Sequence, residues 1–417
     1  MNLTAEQIVT VKSTAPVVKQ YGTTITATFY RNLLAAHPEL KNYFSLRNQH
    51  NRTQQVALAN AVFAYAAYID DLPRLKDAVE RIAHKHASLF IQKDHYPIVG
   101  KYLVGAFAEV LGDALTPVIA DAWVAAYHHL ADVFINREQQ LYDEAGDWQS
   151  WRSFRIAQKQ AETDSIVTLY LEPVDGKPLP RFKPGQYVSL QLPIPELNGL
   201  LQNRQFSLSI APEDEMQHYR VSVKKHTADQ DATVPADKAV GIVANKLHLD
   251  YAVGDEVSLS PPRGDFFFDA TTAASDGPVV LLSIGVGATP LVSILDFILK
   301  SAKSTRPVTW VQAARCSDGV CFRQHIRDLT NQHANVKRAV FVKSAGETDK
   351  KGIDYDFDGR LSWDRLANEG LLHLDNHVTE YYMCGPEDWM VQTRDHLLSR
   401  KVPLDRIHLE LFRAGEL

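Results

Sequence analysis

Twice along its 417 residues the spacing of apolar side chains changes, so no single layer architecture accommodates the whole chain. Up to about residue 142 apolar residues recur every three or four positions, as in Val56, Ala57, Leu58, Ala61, Val62 and Tyr65, and again in Trp123, Tyr127, Leu130 and Phe134. That spacing predicts helices. Residues 143–150 (DEAGDWQS) form a polar break with a glycine and read as a linker. From Trp151 the period becomes two: 165–171, 186–192 and 219–223 predict short strands between Pro/Gly turns, a small antiparallel barrel. After the small-residue run 270–277 (ATTAASDG) comes a third pattern. The apolar run 279–284 leads into a Gly-rich turn, a helical stretch at 291–300 and a second strand at 308–313. This alternation predicts a parallel α/β sheet. The expected architecture is an all-α domain over 1–142, an antiparallel β-barrel over 151–270 and an α/β parallel-sheet domain over 276–417. The polar stretches 227–240 and 343–359 read as surface insertions.

Charge and cysteine content narrow the function classes. A net charge of −6 and a pI near 6.2 give no basic surface for nucleic acid or anionic membrane. Three cysteines, Cys316, Cys321 and Cys384, are too few and too odd for a disulfide framework and fit a reducing compartment. The start, MNLTAEQIVTVKS, lacks the basic and apolar regions of a signal peptide, and no run approaches the roughly 18 apolar residues of a membrane span. The expectation is a cytoplasmic protein without integral membrane association, and nothing implies a protein partner.

In the helical third, Val79, Ile82, Ala83, His86, Leu89 and Phe90 fall on one stripe, with His84 about 200° away from His86. Alone, a histidine on an apolar face is ordinarily a hydrogen-bonded core residue. Other polar groups share its situation: Glu138 lies on the stripe of Leu130, Phe134 and Leu141, Gln54 precedes Leu58 by four, and Tyr30 follows Phe29 in a helix with Ile25 and Leu33. Each alone is unremarkable at a helix edge. Several pointing inward from different helices suggest a site.

The segments FYRNLLAAHPELKNYFSLRNQHNRTQQVALANAVFAYA, VERIAHKHASLFI and AWVAAYHHLADVFINREQQLY resemble the globin domain of bacterial and yeast flavohaemoglobins. The resemblance implies haem b with His86 as the iron ligand and Phe44 packed against the haem. It implies Tyr30, Gln54 and Leu58 on the distal side, and a relay of Tyr96 and Glu138 behind His86. A carboxylate on the far imidazole nitrogen fixes the tautomer and strengthens electron donation to iron. Lys85 is a position thought to tune the haem; a solvated lysine is the plain alternative.

In the barrel, Arg204-Gln205-Phe206-Ser207 follows Lys183-Pro184-Gly185-Gln186-Tyr187 by about twenty residues. A strand arginine can pair with a pyrophosphate, an aromatic offers a flat surface and a serine can hydrogen-bond an isoalloxazine edge. The pair of motifs resembles the FAD domain of the ferredoxin-reductase superfamily, which implies that Tyr187 also touches the flavin. The family commonly has Tyr where Phe206 stands, and Ala244 replaces a Ser that often meets the pyrophosphate. In the last third, Gly285-Val286-Gly287-Ala288-Thr289-Pro290 joins a strand to a helix, the context of a phosphate-binding turn. Cys384-Gly385-Pro386, almost a hundred residues later, resembles the second nicotinamide-side motif of that superfamily, with no local partner for a nucleophilic cysteine. Phe412 matches an aromatic that covers the flavin, although Arg413-Ala414 replaces the usual Gly-Pro. Arg315 alone does not decide between NADH and NADPH.

The resemblance implies an NAD(P)H-dependent nitric oxide dioxygenase that takes NO and O₂ to nitrate through FAD and haem. A sensor or carrier kept ferrous by its own reductase, and a haem-independent flavin or peroxide reductase, are the alternatives. Glu138 with Tyr96 discriminates, since a simple carrier has no use for them.

Overall fold

The computed structural model describes residues 3–44, 52–226, 241–271 and 277–412. The first layer is helical: α1 (Ala5–Ala36), α2 (Thr53–Ala67), α3 (Lys76–Ser88), α4 (His95–Leu111) and α5 (Pro117–Glu144). Thr4 starts α1 with a reciprocal capping box to Gln7, and Thr116 caps α5 just ahead of Pro117. The His37–Pro38 step ends α1, because the residue before a proline is driven out of the helical region. Phe29, Leu33, Phe107 and Trp123 pack in the main helical core, while Phe90, Tyr96, Phe134 and Leu141 form a second cluster where α3 meets α5. Among the described residues α5 is the one helix long and apolar enough to cross a bilayer; it carries Arg137 and Glu138 and packs on α1 and α3.

The middle third is an antiparallel sheet of β1 (Arg152–Thr163), β2 (Ile166–Pro173), β3 (Tyr187–Ile194), β4 (Leu200–Ser207), β5 (Tyr219–Lys224) and β6 (Glu256–Leu259), in the order β4-β3-β6-β1-β2-β5. A bridge between Leu208 and Val221 carries the end of β4 onto β5 and rolls the sheet towards closure. The 143–150 break is tied down: Trp148 is buried and stacks on Phe154 and Tyr219 inside the barrel core.

The last third is a parallel sheet in the order β10-β9-β8-β7-β11-β12, built from β7 (Val279–Ile284), β8 (Val308–Ala314), β9 (Val336–Val342), β10 (Phe357–Asp358), β11 (Glu380–Cys384) and β12 (Ile407–Glu410). Val279 and Leu281 pack on one face and Val280 and Leu282 on the other, which explains the unbroken apolar run. The 343–359 stretch is more than a surface insertion, since β10 adds an edge strand there and the Asp356 carboxylate accepts from the Val340 amide. The 227–240 stretch and Arg413-Ala414 lie outside the described residues.

Helices and barrel meet directly. The Asn42 side chain accepts from the Leu201 amide at 2.9 Å, and Asn203 donates to the Asn42 carbonyl at 2.9 Å. Arg81 approaches Asp265 at 3.9 Å.

Candidate active site

His86 and Glu138 come together where α3 crosses α5. The His86 Nδ1–H donates to Glu138 Oε1 at 2.7 Å, and the Tyr96 hydroxyl, from the first turn of α4, donates to the same oxygen at 2.6 Å. Tyr96 also lies 3.2 Å from His86 Nδ1. Glu138 is 2% exposed, so this carboxylate is solvated by protein groups rather than water. Burial, and next the Glu138 charge, hold the Tyr96 phenol far above its ordinary pKa, so it stays a donor. Tyr127 supports the arrangement by donating to the Tyr96 carbonyl at 2.5 Å, with its ring against Gly100, where a Cβ would come within 2.4 Å of it. With Nδ1 committed, His86 presents Nε2 outward, and its side chain is 34% exposed although it sits on the apolar stripe. A neutral imidazole whose far nitrogen is fixed by a carboxylate is what a haem iron requires, and the donor set fits it.

A second group gathers on α1 and the segments that follow it. Tyr30 is 6% exposed and hydrogen-bonds Gln54; burial raises its phenol pKa well above the usual value. The Phe44 ring meets the Tyr30 ring edge-on at 5.4 Å, and Leu58 packs against the same cluster. Tyr30, Phe44, Gln54 and Leu58 are thus gathered on one side of the helical domain, with His86, Tyr96 and Glu138 forming a separate cluster on α3, α4 and α5.

A cleft of about 620 Å³ runs between this domain and the barrel, within the size range of small-molecule and cofactor sites. Tyr187, Gln205 and Ser207 line it from the barrel, Lys85 from α3 and Phe412 from the end of the chain. Antiparallel register sets Tyr187 opposite Ser207, and strand alternation puts Gln205 on the same side. Phe206 consequently faces the other way and packs against the barrel core. Lys85 is half-buried at this cleft, where burial, and next the Arg204 charge, lower its pKa. Two cations this close mark the spot as one suited to an anionic group.

The two nucleotide motifs also converge. β7 and β11 are neighbours pairing Cys384 with Ser283, and the chain departs from them in opposite directions across the sheet. That is a topological switch point, where doubly wound sheets bind ligands. Gly285 has φ +57°, and a Cβ on Gly287 would lie 2.0 Å from the Cys384 carbonyl oxygen, so the turn requires glycine at both. Thr289 closes the turn on the Val286 carbonyl, and Ala288 and Pro290 lie in the buried first turn of α6 (Ala288–Asp296). Gly385 packs under Trp389, and Pro386 precedes the helix that follows. Cys384 is fully buried, and burial pushes its thiol well up, which keeps it protonated rather than a thiolate.

Sequence reasoning missed Glu410. It is 8% exposed at the cleft, and burial, and next Asp265, raise its pKa well above the usual carboxylate value while Arg81 opposes. In Ile407–Glu410 it occupies an ordinary polar position of an alternating strand, so no local signal distinguishes it.

Residues 27–134 match the globin family, and residues 281–395 match the oxidoreductase NAD-binding domain family. A flavohemoprotein of Bordetella pertussis is 43% identical over 410 residues, covering 97% of each chain. The chain belongs to the flavohemoprotein family. A flavohemoglobin from Malassezia yamatoensis, solved with bound FAD and heme, superposes with a TM-score of 0.82 at 29% identity over 99% of this chain and 100% of its own. The FAD/NAD-binding domain of a Vibrio cholerae nitric oxide dioxygenase gives 0.52 at 32% identity, covering 62% of this chain and 97% of that one. As a flavohemoprotein with an all-α globin, an antiparallel FAD-type sheet and a parallel nucleotide-binding sheet, the protein is an NAD(P)H oxidoreductase.

Proposed function

We propose that this flavohemoprotein is a nitric oxide dioxygenase that draws electrons from NAD(P)H through FAD to haem b. Combining NO, O₂ and one electron gives nitrate, so the two electrons of one hydride serve two molecules of NO. The observation that carries the reading is Glu138 Oε1 receiving both the His86 Nδ1–H and the Tyr96 hydroxyl, on the same chain as the cleft lined by Tyr187 and Lys85. A carrier has no need of such an electron-donating histidine or of a reductase.

We assign residues 1–142 to the haem domain, 151–270 to the FAD domain and 276–417 to the NAD(P)H domain. His86 would hold the haem iron through Nε2, and Glu138 and Tyr96 fix its tautomer and orientation. Haem supplies the redox centre at which O₂ is activated. Tyr30, kept protonated by burial and positioned by Gln54, offers a hydrogen-bond donor to developing negative charge on the distal side, where Phe44 and Leu58 exclude water. Tyr187, Gln205 and Ser207 would border the flavin, Arg204 would pair with its pyrophosphate, Phe206 would offer it a flat apolar surface and Phe412 would cover its exposed face. Lys85 tunes the junction between the two redox centres. Gly285, Val286, Gly287, Ala288, Thr289 and Pro290 bind the nicotinamide nucleotide phosphates, with Cys384, Gly385 and Pro386 beside the nicotinamide. The three free cysteines fit a cytoplasmic location. The test is NADH-driven NO consumption in air with nitrate measured: nitrate equal to NO consumed supports the reading, and nitrate formation independent of NADH removes it.

A further inference from the structure

The helix that carries His86 has two buried faces. His84 and Ser88 stand one helical turn apart, each two residues from His86 and on the opposite side of α3. Both are buried, at 7% and 0% exposure, although neither lies on the apolar stripe. Their partners belong to the barrel. His84 Nδ1 accepts the Gly264 amide at 3.0 Å, leaving Nε2–H to meet Glu80 Oε1 at 3.2 Å, a pattern one neutral tautomer satisfies. Glu80 is in turn held by Arg137 of α5 at 2.5 and 2.7 Å.

On the other flank a chain of donors runs from flavin-side strand to proximal helix. Gln205 Nε2 donates to Ser189 Oγ at 3.0 Å, Ser189 donates to Ser88 Oγ at 2.8 Å, and Ser88 donates to the Lys85 carbonyl at 2.8 Å. Gly264 itself packs against the Tyr187 ring, which a Cβ would approach to 3.1 Å, and the Tyr187 phenol hydrogen-bonds Ser88. Each bond therefore ends on a residue touching a cleft-lining side chain.

We propose that His84 and Ser88 are positioning residues that clamp the proximal helix to the flavin-side strands on both flanks of His86, setting the geometry for electron transfer from flavin to haem. Two buried bonds on one face of α3, a helical turn apart and on either side of His86 along the chain, stop the helix pivoting about either contact, which a single bond would not. The clamp rests on the proposed cofactor arrangement but not on the fate of NO.

The test uses the full-length protein loaded with FAD and haem, mixed with NADH without oxygen, with flavin and Soret absorbance followed separately. The variants are Ser88→Ala, His84→Ala, their combination, and His84→Asn, whose side-chain oxygen can still accept the Gly264 amide. Flavin reduction and ferricyanide reduction stay at parent rates, the combined variant slows haem reduction several-fold, and His84→Asn restores most of the His84→Ala loss. Hydrogen exchange at the Gly264 amide reads the contact without any turnover and becomes about five-fold or more faster in His84→Ala. Parent-rate haem reduction in the combined variant, or unchanged Gly264 exchange in His84→Ala, overturns the clamp. Haem reduction by NADH without nitrate formation from NO refutes the dioxygenase reading and leaves the clamp standing.

Discussion

Replacing Glu138 by Gln removes one negative charge from the least exposed carboxylate around His86 while keeping its shape. Two donors converge on its Oε1, at 2.7 Å from His86 and 2.6 Å from Tyr96. Hydrogen bonds to a charged acceptor contribute about 1.5–3 kcal/mol and neutral ones about 0.5–1.5, so the amide forfeits about 1–1.5 kcal/mol per bond. Only the part felt through the imidazole bears on the iron, and about 1.4 kcal/mol is tenfold in rate, so NADH-driven NO consumption falls about tenfold. Haem content stays at parent level, because Nε2 and the packing of His86 against Phe134, with ring centroids 5.8 Å apart, are untouched. The iron–histidine stretching frequency of the ferrous protein, read by resonance Raman, drops with the lost electron donation. A variant with full haem, parent turnover and an unshifted stretch refutes the account of Glu138.

Three further outcomes follow from the geometry. If Tyr30 takes the proposed distal role, Tyr30→Phe removes a buried donor and speeds O₂ release by about tenfold on loss of one hydrogen bond, measured by flash photolysis; an unchanged rate removes Tyr30 from the distal site. Gly287→Ala drives a methyl into the Cys384 carbonyl, destabilising the last domain by about 1–3 kcal/mol and suppressing flavin reduction by NADH while dithionite still reduces flavin and haem; parent kinetics with NADH would contradict the turn assignment. At Asp296, burial opposes ionisation, but His325 at 2.8 Å and Lys300 at 3.2 Å outweigh it and hold the carboxyl below its ordinary 3.8. Its folded-state pKa is depressed, so its contribution is fully present above that ordinary value and is lost as pH falls through the folded one. The urea stability gap between parent and Asp296→Asn therefore narrows on acidification below about pH 4, and a gap that widens there would reverse the sign.

Much of the layout was legible because each third has its own hydrophobic period. The 279–284 run is β7, and the stripe through His86 does face Phe134 and Glu138. What stayed hidden depends on contacts between domains. Nothing local shows that His84, off the stripe, is buried by Gly264, which lies 180 residues away. Trp148 looks like part of a polar linker until the barrel core encloses it. Glu410 sits where a solvent-facing residue belongs in a strand, and only the cleft walls make it a buried carboxylate. Phe206 reads as a flavin contact from its motif, and the register of β3 against β4 sets it, half-buried, on the face opposite Gln205 and Ser207 and against the barrel core, a placement no motif gives.

Electron counting with purified protein in air, following NADH, NO and nitrate together, decides whether this is a nitric oxide dioxygenase. A nitric oxide dioxygenase consumes two NO and forms two nitrate per NADH oxidised, and its Soret band shifts to the reduced form when oxygen is withheld. NADH oxidation that proceeds at the same rate with or without NO, yielding no nitrate, would contradict it.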